Sequence, residues 1–124
     1  MKSTNKELIE FLRISSNAGI RSLEQLAVFL EIANEGEVSL IDLAGTDETT
    51  DPVAKKYDGV VSRLSKKGTT RIGGVPQPGL GLLDELPGRF KSPLSTKWLR
   101  GIRLSAKGKR LAKKLGIQYK SAGR

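Results

Sequence analysis

Lys55, Gly59, Ser62 and Lys66 follow one another at spacings of three and four residues, so a helix through them holds all four on one side. Val53, Tyr57, Val60, Val61 and Leu64 then lie on the other side, within about 100° of one another at 3.6 residues per turn. Two ammonium groups, a hydroxyl and a bare stretch of backbone suit one kind of chemistry. They offer positive charge and hydrogen-bond donors to a surface rich in oxygen acceptors, such as phosphates or base edges. Gly59 is the informative member, since a glycine in an exposed helix interior costs roughly 1 kcal/mol relative to alanine. Without a Cβ, the helix can come close to a groove floor. The plain alternative for the same face is an ordinary solvated, lysine-rich surface.

The charge of the whole chain favours an anionic partner. Residues 1–50 carry four Lys/Arg against nine Asp/Glu, whereas residues 51–124 carry eighteen against four, within an overall net charge of +9 over 124 residues. A positive field concentrated in one half selects a partner with dense negative charge, most commonly nucleic acid. The length suits one core. Zero cysteines and zero histidines remove disulfides, thiolate chemistry, imidazole bases and nearly all zinc sites, which argues against an enzyme and leaves no cofactor or metal expected. No stretch approaches the roughly 20 apolar residues of a membrane span, and Met1 to Glu7 lack the features of a signal peptide, so a cytoplasmic protein without membrane contact is expected.

The elements that must position the basic face are legible in outline. Leu8, Ile9, Phe11 and Leu12 mark an amphipathic helix between Thr4 and Ser16. Ser22 to Gln25 has capping-box spacing and opens a second helix, with Leu23, Leu26, Ala27, Leu30 and Ala33 on one face and Val28, Phe29 and Ile32 widening it. Ser39 to Asp42 repeats the spacing for a short helix through Ala44, which Gly45 ends. After a polar turn, Thr46 to Thr50, Asp51 is placed to cap a helix from Pro52 to Lys67, with Gly68 past its end. Leu80 to Glu85 reads as a strand, Leu86 to Lys97 as a long turn with Pro87-Gly88 and Ser92-Pro93 as breakers, and Trp98 to Leu104 as the return strand. Ser105 then caps a last helix on which Leu104, Gly108, Leu111 and Leu115 share a face, followed by a fraying tail from Gly116.

A short capped helix, a tight turn and a longer helix with a basic outer face are the parts of a helix-turn-helix. The two strands after it supply a wing, where Arg89, Lys91, Lys97 and Arg100 could follow a phosphate backbone or reach into the minor groove. The alternative for this segment is a flexible surface hairpin with incidental cations. Trp98 serves either as a core lid or as a stacking platform, with the core reading favoured.

In this order, the strings resemble the MarR family of winged-helix DNA-binding regulators, including variants common in bacteriophages. Val61-Ser62-Arg63-Leu64-Ser65-Lys66-Lys67-Gly68 resembles the end of that family's recognition helix. Gly79-Leu80-Gly81-Leu82-Leu83 is similar to the strand that opens its wing, and Ile102 to Leu111 to its return strand and following helix. The resemblance implies that Lys55, Lys56, Asp58 and Gly59 face bases and that Arg63 lies near the backbone; Ser62, Lys66 and Lys67 complete the expected DNA-binding residues of the recognition helix. The chain departs from the family at the wing tip, where Pro87-Gly88-Arg89-Phe90-Lys91-Ser92-Pro93 replaces an acidic residue and paired arginines. It also carries an extra loop, Thr69 to Pro78, of unassigned role, and its last helix has only about three turns where the family dimerises through long terminal helices.

Other constellations are weaker. Gly73-Gly74 and Gly79-x-Gly81 lack the Gly-Lys-Ser/Thr of a phosphate-binding loop. Asp42, Asp47, Glu48 and Asp51 fail calcium-loop spacing. Lys107, Lys109, Arg110, Lys113 and Lys114 suit nucleic acid better than a membrane, given only Leu111 and Leu115 as apolar anchors. Six aromatic residues are few for a surface that stacks single-stranded bases.

The expected fold is therefore mainly α with a small β-hairpin wing, a winged helix-turn-helix domain over residues 22–116, preceded by a helix and linker over 1–21 and followed by a flexible basic tail over 117–124. The expected function is sequence-specific binding of double-stranded DNA by a prokaryotic or phage transcriptional regulator, with a homodimer as the expected assembly. The rival is a winged-helix adapter that docks on a host protein such as RNA polymerase.

Overall fold

The computed structural model describes residues 4–45, 52–65, 71–72, 75–76, 78–91 and 98–120, with the backbone alone at 71–72, 75–76, 87–91 and 98–99. In chain order these form α1 (Asn5–Asn17), α2 (Leu23–Glu35), β1 (Glu37–Val38), α3 (Leu40–Ala44), α4 (Pro52–Leu64), β2 (Arg71–Ile72), β3 (Val75–Pro76), β4 (Leu83–Lys91), β5 (Trp98–Leu104) and α5 (Ala106–Leu115). The chain is mainly helical, with one small three-stranded antiparallel sheet. The expected caps at Asp51 and Gly68, the turn at Thr46 to Thr50, and residues Lys66, Lys67 and Lys97 lie outside the described residues.

Hydroxyl caps start the helices. Thr4 and Glu7 exchange reciprocal side-chain-to-backbone bonds at 2.8 and 3.1 Å, and the Ser39 hydroxyl accepts from the Asp42 N–H at 3.0 Å. At α2 the Ser22 hydroxyl accepts from the Gln25 N–H, but the Gln25 side chain reaches one residue further back, to the N–H of Arg21 at 2.8 Å. Gly45 ends α3 at φ 75°, a left-handed conformation that glycine adopts without a Cβ penalty.

Phe29 and Ile32 on α2 are fully buried, and Leu26, Val28 and Ala33 join them. Leu23 and Ala27, expected on this inner face, are instead exposed, Leu23 by 80%. At 100° per residue they lie about 120° and 160° from Phe29. The buried arc is centred on Phe29, because α4, β1 and β5 all pack on α2.

The strand order is β1-β5-β4, so β5 is central. Glu37 pairs with Arg103 and Val38 with Ile102 on one side of β5, while Leu83 pairs with Leu104 and Glu85 with Ile102 on the other. The turn expected from Leu86 is corrected here, because β4 continues to Lys91. Leu86 pairs with Gly101 and Phe90 with Leu99, so the register shifts between them. An irregularity of this kind absorbs Pro87, which cannot donate to a ladder, without ending the strand. The expected loop from Thr69 to Pro78 contains its own antiparallel pairing, Arg71 with Pro76 and Ile72 with Val75.

The end of α4 is bonded directly to the approach to β4. The carbonyls of Arg63, Leu64 and Ser65 accept the N–H groups of Leu80, Leu82 and Gly81 at 2.9, 2.7 and 3.1 Å. These bonds satisfy carbonyls that a helix end leaves unpaired, and α4 stops at Leu64, short of the expected Lys67. Ser105 closes the other side: its N–H donates to the Leu82 carbonyl at 3.0 Å and its hydroxyl to that of Gly81 at 2.6 Å. Gly108 follows on the buried face of α5, where a Cβ would stand 2.2 Å from the Leu82 carbonyl oxygen. Only glycine allows the helix so close to the backbone that leads into β4.

Helices α1 and α5 pack on each other. Phe11, Ile14 and Leu115 lie against the core, whereas Leu8, Ile9 and Leu12 remain 52%, 52% and 45% exposed. The expected fraying from Gly116 does not extend over 117–120: Ile117 and Tyr119 pack on the core, and the Lys120 N–H donates to the Ala33 carbonyl at 2.8 Å. That bond satisfies an orphan acceptor near the end of α2. No helix among the described residues is long and apolar enough to cross a membrane.

Candidate nucleic-acid interface

Helix α4 lies against both α2 and α3. Its buried stripe is Ala54, Val61 and Leu64, with Tyr57 and Val60 half-buried. This is rotated from the expected stripe, since Ala54 replaces Val53, which is 46% exposed. Contact with two neighbouring helices also covers the flanks, so Ser62, about 100° from Val61, is buried at 4% exposure. Ser62 is therefore no surface contact, contrary to its expected place on the outer face.

Four expected residues share the exposed surface of α4: Lys55, Lys56, Asp58 and Gly59. A Cβ built on Gly59 meets nothing within 4 Å, so packing gives no reason for glycine at this position. Replacing Gly59 by Ala should stabilise the protein by up to about 1 kcal/mol, measured by denaturant unfolding. Gly59→Leu should keep the fold and weaken specific duplex binding; normal binding by that variant would remove the groove-contact role.

The cations differ in how free they are. Lys56 is ion-paired with Glu24 in the first turn of α2, and the hydrogen bond and charge of that carboxylate raise its pKa above the ordinary lysine value. Arg63 is half-buried and donates from Nη1 to the Pro78 carbonyl at 2.9 Å. It tethers the approach to β4, a use of the residue that its expected position near a DNA backbone did not include. Lys107 does the same from α5, donating to the Leu80 carbonyl at 2.8 Å.

On the hairpin, Arg100 is exposed and donates to Glu85 Oε1 across the β4–β5 ladder at 2.8 Å. The side chains of Arg89, Lys91 and Trp98 lie outside the description, as does Lys97 entirely. The fold thus brings Lys55, Lys56, Asp58 and Gly59 together and assigns Arg63 and Arg100 to internal partners. It also sets Glu24, absent from the expected site, beside Lys56. That acid is distant in sequence, and no spacing rule links the two.

A further feature lies along the seam of α1 and α5, where a groove of about 700 Å³ is lined by Leu8, Phe11, Ile14, Lys114, Leu115 and Ile117 among others. Its neighbour, about 440 Å³, carries Lys107, Arg110 and Lys114 beside Ile14, Leu82 and Leu111. Among the described residues, no group of three or more acidic side chains is placed to hold a metal ion. The chain matches no protein family, no curated protein and no solved structure.

Proposed function

We propose that this chain is a winged helix-turn-helix protein that binds double-stranded DNA sequence-specifically, acting in the cytoplasm as a prokaryotic or phage transcriptional regulator. The observation that carries the reading is the outer surface of α4: Lys55, Lys56 and Gly59 stand exposed on a helix braced from behind by α2 and α3. The capped α3 precedes it in the chain and packs on it, and the β4–β5 hairpin follows it with β1 paired to the return strand. In this reading α4 enters the major groove, where Lys55 and Lys56 reach guanine acceptors or phosphates and Gly59 permits close approach. The cations expected on the wing from the sequence, Arg89, Lys91 and Lys97, would follow the adjacent backbone or minor groove.

The regulator acts as a homodimer in this proposal. Leu8, Ile9 and Leu12 expose an apolar face beside the α1–α5 groove, and a second copy on that face would double a short site by two-fold symmetry. Selection of bound duplexes from a random pool tests both parts, since an enriched motif supports specific reading and a palindrome supports the dimer. Binding to the selected site should weaken with salt at a slope of log K against log salt on the order of −5 to −7, because about six to eight cations meet phosphates. A flat titration without enrichment overturns the duplex reading and leaves the adapter of a host protein such as RNA polymerase.

A further inference from the structure

We infer that Glu24 sets the specificity of α4 by competing with DNA phosphates for Lys56; this rests on the duplex reading above. Glu24 stands in the first turn of α2 and its Oε2 pairs with the Lys56 Nζ. The side chains are 54% and 57% exposed, so the pair belongs to the surface and not to the core. Exposed pairs of this kind contribute little to folding. Their placement matters more here, because Lys56 is one of the cations on the exposed surface of α4. Glu24 and Glu31 both line a small cleft of about 100 Å³ with Lys56 and Tyr57.

The consequence follows from exchange of partners. In the free protein the charge of Lys56 is already answered by a carboxylate. To use it on DNA, a phosphate oxygen or base acceptor must take the place of Glu24 Oε2, and the released carboxylate then stands close to a polyanion. Where the preferred duplex sets base acceptors within reach of Lys56, such as the paired acceptors of a guanine edge, that exchange is compensated beyond what a lone phosphate oxygen offers. On unrelated sequence it is not, and the ammonium stays with Glu24. Glu24 thus removes about one cation from sequence-independent binding while costing less on the correct site. A repulsive group beside a contact residue raises a specificity ratio in this way without adding any contact to the preferred partner.

The test titrates the full chain, Glu24→Gln, Lys56→Gln and the double variant on the selected duplex and on an unrelated duplex at several salt concentrations. Glu24→Gln should tighten binding to the unrelated duplex about fivefold to tenfold and steepen its salt slope by about one, with a smaller gain on the selected site. Lys56→Gln should abolish that gain in the double variant. Unchanged or weaker binding by Glu24→Gln overturns the inference, leaving Glu24 a solvated acid or a group that merely orients Lys56. A gain that persists with Gln at position 56 also overturns it, since the effect would then be general charge. If the unsubstituted chain binds no duplex at low salt, the duplex reading itself has failed, a result distinct from either of these.

Discussion

Changing Lys55 to Glu together with Lys56 to Gln should weaken duplex binding on the order of 1,000-fold near 0.1 M salt while leaving the melting temperature almost unchanged. The size follows from counterion release, in which each lost phosphate contact costs roughly a factor of ten in that range and a charge reversal costs about two contacts. The fold should survive, because both side chains are exposed on α4 and neither belongs to the buried stripe of Ala54, Val61 and Leu64. Lys56 loses only a surface ion pair with Glu24, worth at most about 1 kcal/mol. Fluorescence anisotropy on the selected duplex, run beside thermal unfolding, separates the two effects. A variant that binds normally would show that α4 does not make the contact, however basic its surface.

Val61→Asp should abolish the folded state, and for the opposite reason. Val61 is 2% exposed, in the cluster that contains Phe29, Ile32, Leu64, Leu82 and Ile102. A carboxylate there loses its hydration and finds an apolar lining, a penalty of several kcal/mol whether the group ionises or takes up a proton. Added to the lost packing of the valine, this approaches the whole stability of a small domain, about 5–15 kcal/mol. Circular dichroism should report loss of cooperative unfolding. Val60→Asp should be milder, because Val60 is only half-buried and a carboxylate at the rim can turn to water. Equal stability of the Val61 variant and the parent would mean that α4 does not face the core as described.

The helix starts show what local chemistry makes legible. Ser22, Ser39 and Ser105 cap helices as their spacing implied, and Thr4, not singled out in the sequence, caps the first, since a hydroxyl three residues before a backbone donor acts within one turn and needs no distant partner. Gly45 and the return strand from Trp98 to Leu104 were readable on the same grounds. Which face of each helix turns inward was harder. A stripe five apolar residues wide has no unique centre, so the α2 stripe ran to Leu23 and Ala27 in sequence but centres on Phe29 in space, and the α4 stripe shifted to bury Ala54 and Ser62.

By itself the sequence determined the charge asymmetry, the lack of cysteine and histidine, the helix caps and the basic composition of the stretch from Pro52. These depend on residue identity and on spacings within one or two turns. Only the tertiary structure decided which cations are free to meet a ligand. Arg63 is committed to the Pro78 carbonyl, Arg100 to Glu85, Lys107 to the Leu80 carbonyl and Lys56 to Glu24, partners 15, 15, 27 and 32 positions away in the chain. It also decided that β4 runs through Pro87 to Lys91 and that the chain beyond Gly116 is tied to α2 through Lys120. The physical reason is the same in each case. A charge or a backbone donor takes the nearest acceptor in space, and that acceptor is set by how the helices pack and not by the residues beside it in the chain.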